Sequence, residues 1–295
     1  SQQHNPQYAR VCPSVLPIHH ELGVDPDDIT LIQGDDTHVD DRDMLTKEEI
    51  DLIRESAEHP RDLAIFDLLL YTGQRNTAIR SLRIKDIDLN EGVYYLNADA
   101  DGLKGADENG TKRPLLGAKR AVYDWLKDHP TGEPDDYLIT CLPTANRGTP
   151  GDMLSQSNIR SRLKDIAEEA GIDKPPNPHN FRHYFVTSCK RDYDMDEATI
   201  KHLIGHGPES TIMESTYQHL SDEDHIEAAE VAAGIRDEEE ESPLTPDVCP
   251  TCGEQLSSGA KACPGCGEVF APDSKRIEEK IQEDMKKSYR NADPD

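Results

Sequence analysis

Apolar residues first take up a sustained period at Leu45. The preceding stretch, residues 1–43, is rich in Pro, His and Asp, and its end (GDDTHVDDRD, 34–43) reads as a solvated acidic linker. Thr46 and Glu49 form a capping-box pattern, and Leu45 with Ile50 can staple the helix start, so a helix is expected to about Ala57. Arg61–Tyr71 (RDLAIFDLLLY) is apolar on much of its circumference, which predicts a buried helix stopped at Gly73. A further helix opens at Arg75. The period then switches to that of strands: GVYYLN (92–97) and KRPLL (112–116) read as a hairpin around a Gly/Asp-rich turn that carries Lys104. Helical periods resume at Ala118–His129, Gln156–Ala170, His179–Lys190, Asp196–Ile204 and Ser221–Ala233, with a short apolar run at Tyr137–Ile139. The pattern predicts a mainly α chain with a small β-hairpin or sheet (α+β).

Charge changes the picture. The chain of 295 residues holds 59 acidic against 32 basic side chains, a net charge of −27, with 5% aromatic residues. Taken alone this balance argues against a nucleic-acid partner, which usually leaves a basic footprint. The acid is spread widely, however, in the manner of proteins from salt-in halophiles such as halophilic archaea. At molar salt the Debye length is ~3 Å, so long-range repulsion is largely screened. Contact would then rest on a local basic face, for which Arg75, Arg80, Arg83, Lys85, Lys104, Lys112, Arg113 and Arg182 are candidates. No run of 18 or more apolar residues predicts a membrane span.

Four segments carry candidate chemistry: TGQRNTAIRSLRIKDIDL (72–89), PHNFRH (178–183), LIGH (203–206) and TYQHL (216–220). They offer Arg75, His179, Arg182, His206 and Tyr217. Taken singly, each has an ordinary structural reading, as do the rival phenols Tyr71, Tyr184 and Tyr193. As an ordered set they suit phosphodiester cleavage by a covalent tyrosine. A phenol of pKa near 10 must be activated to attack phosphorus. Paired guanidiniums can stabilise the added negative charge of the pentavalent transition state. On one helix, the three-to-four residue spacing puts His179, Arg182 and His183 along one side, so that His179 and Arg182 can reach a single phosphate, while His183, just after the arginine, reads as a hydrogen-bonded packing histidine.

This constellation resembles the tyrosine recombinase (phage integrase, Xer-type) family over most of residues 44–233. Arg75 in TGQR is similar to the family's first arginine box, His179 and Arg182 to its HxxR box, Gly205–His206 to the next, and Tyr217 with His219 to the nucleophile box. The resemblance implies a 3′-phosphotyrosyl intermediate at Tyr217, with Arg75 and Arg182 holding the scissile phosphate. His179 and His206 would assist proton transfer and phosphate binding. A hairpin lysine, Lys104 or else Lys112, would protonate the leaving 5′-oxygen. Double-stranded DNA would be the partner, with a homo-oligomer forming on it, dimer to tetramer at synapsis, and catalysis would need no cofactor. Two departures stand out. Ala78 occupies a place that is often acidic, and eleven positions separate His206 from Tyr217, slightly more than the family pattern. Residues 1–43 are also too short for the family's DNA-clamp domain, so the chain is either a fragment or a minimal form. The other readings are a catalytically lapsed DNA-binding regulator of the same fold, and a type IB topoisomerase-like enzyme that relaxes strands.

The tail holds four of the seven cysteines, as Cys249-Pro-Thr-Cys252-Gly and Cys263-Pro-Gly-Cys266-Gly. Two CxxC turns ten residues apart can close a tetrahedral S₄ zinc site, resembling a zinc ribbon. With all four positions filled by thiolates, the metal is structural. Its partner could be DNA or protein. Free cysteines beside a zinc site suggest a reducing cytoplasm. The expected organisation is thus an N-terminal segment 1–43, a tyrosine recombinase catalytic domain 44–235, an acidic linker 236–247, a ribbon 248–270, and a charged, helix-prone tail 271–295.

Overall fold

The computed structural model describes residues 45–97, 100, 112–144, 148–174, 176–206, 242–257, 259–274 and 277. Among them are seven α-helices, one short 3-10 helix (Ile84–Asp86) and one three-stranded sheet. The mainly α architecture with a small sheet is as expected.

The first helix, α1 (Lys47–Ser56), starts as the capping box requires. Glu49 Oε2 accepts from the Thr46 N–H at 2.8 Å, and Thr46 Oγ1 accepts from the Glu49 N–H at 3.3 Å. Leu45 and Ile50 are both buried, which completes the staple. Helix α2 (Pro60–Thr72) follows, with Pro at its first position and buried residues on every face. Its apolar circumference is explained by its place: it is packed by α4 (Ala118–Lys127) and α6 (Pro178–Arg191), and also touches α3 (Asn76–Ser81) and α5 (Gln156–Glu169). Phe66 of α2 meets Phe181 of α6 edge to face at 5.2 Å. A buried polar network ties α1 to α2. Arg54 donates to Asp67 Oδ2 at 2.9 Å and to the Tyr71 hydroxyl at 2.8 Å.

The sheet is antiparallel in the order β1 (Ile87–Asp88), β2 (Val93–Tyr95), β3 (Lys112–Pro114). Tyr94 lies opposite Arg113, and Tyr95 opposite Lys112. The hairpin strands are shorter than the sequence pattern suggests. The Leu115 N–H still donates to Gly92 O at 2.9 Å, while the side chains of Leu115 and Leu116 pack in the core. β1 has two residues, too few to show a period of two in the sequence. The apolar run at Tyr137–Ile139 is pinned rather than laddered: the Leu138 N–H donates to Leu82 O at 2.8 Å, and the Trp125 indole N–H donates to Leu138 O at 2.7 Å.

Helix α7 (Glu197–Ile204) ends at Gly205 in the left-handed conformation, as α2 ends at Gly73. The expected helix 221–233, together with Lys104 and Tyr217, lies outside the described residues. No helix among the described residues is long and apolar enough to cross a membrane.

Within the stretch expected to be linker, Ser242, Leu244 and Thr245 are buried. The acidic run that suggested a linker ends at Glu241, and the residues after it are small or apolar. They pack on the helical body and lead directly into the cysteine module.

Candidate active site

The site is built where two helices stop. Both α2 and α7 end on a left-handed glycine, and the next residues of each chain emerge side by side. Gly73 has φ +59°, and a Cβ there would stand 2.5 Å from Cδ1 of the buried Phe185 ring. Only glycine satisfies both the backbone turn and that close approach. Gln74, buried, donates from its amide to Leu203 O at 2.6 Å, which ties one helix end to the other. Then come Arg75 and His206, with Arg75 Nη2 2.7 Å from His206 Nε2.

Arg182 lies beneath this pair. It projects from α6, is 2% exposed, and donates from Nη1 to Gly73 O at 2.8 Å and Ile204 O at 2.9 Å. Those carbonyls belong to the C-terminal ends of α2 and α7, where helix dipoles present negative partial charge. A guanidinium is therefore held by the fold where two peptide ends attract it, and its orientation is fixed before any anion arrives.

The two histidines respond to the guanidiniums. Burial lowers the pKa of His206 to about 3, helped by the charges of Arg182, Arg75 and Lys201. Arginine can only donate, so His206 Nε2 accepts in this contact and the ring is neutral. Burial also lowers the pKa of His179, and Arg182 and Arg75 push the same way. His179 sits in the first turn of α6, whose start is capped by the Asn177 side chain accepting from the His179 N–H at 2.9 Å. Its Nε2 is 2.9 Å from Nε2 of the buried His183. His183 is thus a hydrogen-bonded packing residue, as its position after the arginine suggested.

Arg75, His179, Arg182 and His206 are thereby brought together, as their order in the sequence implied. Ala78, at the place that is often acidic, is buried in α3. The imidazole of His206 lies beside Arg75. Lys112 donates to Glu91 Oε2 at 2.8 Å across the hairpin. Gln74 was not singled out from sequence, although its place between Gly73 and Arg75 is a usable signal.

The rival phenols have structural tasks. Tyr71 is buried against Arg54 and its pKa is pushed up to about 12 by burial. Tyr184 donates to Pro243 O at 3.1 Å, and Tyr193 is paired with Ser242 Oγ at 2.9 Å. Burial raises both of their pKa values strongly. A phenol held neutral in the core is a poor nucleophile.

The expected basic face needs correction. Arg113 and Arg182 are buried, so neither contributes to a surface. Arg113 instead donates to Lys112 O at 2.7 Å and approaches the imidazole of His202. Arg80, Arg83 and Lys85 do line one polar groove of about 1020 Å³, together with Thr77, Asn97 and Tyr137. Arg83 stacks on Tyr137 at 4.8 Å, and Lys85 pairs with Asp135 at 2.6 Å, so part of the positive charge there is internally balanced.

The four tail cysteines converge. Their sulfur atoms all lie within 4.8 Å of one another, with Cys249–Cys266 at 3.6 Å and Cys252–Cys263 at 3.5 Å. The two knuckles repeat the same turn: Gly253 N–H donates to Cys249 O at 2.8 Å, and Gly267 N–H to Cys263 O at 2.9 Å. Burial pushes the Cys263 thiol up, but the backbone N–H groups of Cys266 and Gly265, together with the thiols of Cys252 and Cys249, outweigh it and bring it to about 7. Four thiolates at ~2.3 Å from one ion would lie about 3.8 Å apart, so the cluster is compatible with tetrahedral zinc.

Comparison with known proteins places this arrangement. The model of the phage integrase family matches residues 43–224. Tyrosine recombinase XerD of Pseudomonas putida is 27% identical over 169 residues, covering 55% of this chain and 50% of that protein. Tyrosine recombinase XerC of Alcanivorax borkumensis is 31% identical over 166 residues, covering 55% and 50%. The chain thus spans about half the length of these curated relatives. The fold is shared with the crystal structure of XerA recombinase, with a TM-score of 0.53 at 24% identity, covering 76% of this chain and 74% of that one. With more than half its length matched by the family model, and the four boxes in the family's order, the chain belongs to the phage integrase family.

Proposed function

We propose that this protein is a site-specific DNA recombinase that breaks and rejoins strands through a 3′-phosphotyrosyl intermediate. The observation that carries the reading is the meeting of Arg75, His206 and Arg182 at the ends of two helices. In this reading the scissile phosphate lies against Arg75 and His206, above Arg182. Tyr217 attacks phosphorus, the P–O5′ bond breaks, and the enzyme keeps the 3′-phosphate as an ester. Lys104, or else Lys112, gives the leaving 5′-oxygen its proton. His179 and His206 serve proton transfer and hydrogen bonding to the phosphate. Phosphate charge beside His206 would offset the two guanidiniums that now keep it neutral, so its pKa rises on binding. The ester conserves the phosphodiester bond energy, so rejoining follows by attack of a second 5′-hydroxyl.

The partner is double-stranded DNA, reached through the groove beside α3, and exchange takes place in an oligomer on two sites. The acidic composition fits work at high intracellular salt. Residues 44–235 form the catalytic domain and 248–270 a zinc ribbon. The test is a nicked suicide duplex incubated at molar KCl with wild type and with Tyr217→Phe. The reading expects a denaturation-resistant protein–DNA adduct from wild type alone. DNA binding without an adduct would favour the regulatory reading, to which Ala78 lends some support, and relaxed circles without exchanged partners would favour the topoisomerase one.

A further inference from the structure

We propose that the four-cysteine module is an internal brace: the partner it grips is this chain's own α6 and the loop that follows it. The contact surface is specific. Tyr184 of α6 donates to Pro243 O at 3.1 Å. Past the end of α6, Tyr193 lies 2.9 Å from Ser242 Oγ and accepts from the Leu244 N–H at 3.3 Å. Ser242 Oγ is 2.6 Å from Thr245 Oγ1, which lies 2.5 Å from Ala260 O between the two knuckles. Tyr193, Ser242 and Thr245 thus form one continuous chain of hydroxyl contacts that ends on the Ala260 carbonyl, which can only accept. All three hydroxyl-bearing residues are buried. Around this relay, Leu244, Phe270, Ala271 and Ile277 belong to the same continuous apolar core as Phe185 and Cys189 of α6.

The geometry ties the brace to the active site. Arg182 and Tyr184 are two residues apart on one helix, about 200° around its axis. One side of α6 carries the guanidinium that caps α2 and α7, and the opposite side rests on the residues leading into the module. A segment as small as 242–277 holds its shape through a metal rather than a core of its own. The thiolate cluster therefore fixes Ser242, Pro243 and Thr245, and these fix the back of α6. The proposal does not rest on the recombinase reading.

It is tested on the full chain at fixed molar KCl. Amide exchange and thermal unfolding are compared with zinc bound, after removal by a strong chelator, and after zinc is added back. The expected result is a loss of exchange protection in α6 and a Tm lower by several degrees, both restored by zinc. Tyr193→Phe, with zinc content checked by a colorimetric assay, should lower the Tm of the zinc-bound protein and have little effect on the stripped one. Exchange that loosens only residues 242–274, or a Tyr193→Phe effect of equal size with and without metal, overturns the proposal. None of these readouts involves DNA, so their failure and that of the recombinase reading are distinguishable.

Discussion

The two arginines of the site are equal in the sequence pattern and unequal in the fold, and that difference is measurable. Arg182 is buried and makes two charge-assisted hydrogen bonds, to Gly73 O and Ile204 O. Bonds of this kind are each worth about 1.5–3 kcal/mol. Arg182→Met keeps most of the side-chain volume and removes both bonds, so the loss should be about 3–6 kcal/mol. Arg75 is exposed and meets the imidazole of His206. Arg75→Met should cost within about 0.5 kcal/mol, the usual range for a surface substitution. Urea unfolding followed by circular dichroism, with zinc present and KCl held constant, compares the two. The Arg182 difference should persist when KCl is raised, because screening acts weakly on buried pairs. If Arg182→Met unfolds within 1 kcal/mol of wild type, or if Arg75→Met costs as much, the claim that Arg182 fastens two helix ends is wrong.

Other perturbations have defined outcomes. Gly73→Ala combines a left-handed backbone with a Cβ 2.5 Å from the Phe185 ring, so about 2–4 kcal/mol of stability should be lost in thermal or urea unfolding. The His206 ring should remain neutral at pH 5 by NMR, and phosphate or sulfate should raise its pKa; titration near 6.5 in the anion-free protein would contradict the burial argument. His206 is at about 3 when folded against an ordinary 6.5, so the unfolded chain binds more protons between those values and this group's contribution falls as pH drops through that window, by at most about 2 kcal/mol between pH 7 and 5. Asp67 acts in the opposite sense: burial raises its pKa to about 6 against an ordinary 3.8, with Arg54 opposing. Its contribution is therefore lost as pH rises through about 6, and Asp67→Asn should remove that component from the pH–stability curve.

Helix positions were legible because their signals are local. The Thr46–Glu49 capping box and the terminal Gly73 recur in the structure as the caps they suggested. The four-box order also carried Arg75, His179, Arg182 and His206 to one place. What sequence could not supply was the sharing of tertiary space. Arg182 and Arg113 read as surface charge because arginine usually is, yet the C-terminal carbonyls that hold Arg182 come from helices 109 and 22 residues away in the chain. Tyr71 gave no sign of its buried network, since Arg54 and Asp67 lie on separate elements. The linker reading failed at Ser242–Thr245 for the same reason: Pro and Ser read as punctuation, while their partners Tyr184 and Tyr193 lie some fifty to sixty residues upstream.

The most direct test of strand transfer is the chemical identity of the nucleophile. A protein–DNA adduct trapped on a nicked duplex is digested with protease and nuclease, and the modified peptide is sequenced by tandem mass spectrometry. The account predicts a nucleotide remnant esterified through its 3′-phosphate to Tyr217. A remnant on Tyr184, Tyr193 or any other side chain, or one linked through a 5′-phosphate, would contradict it.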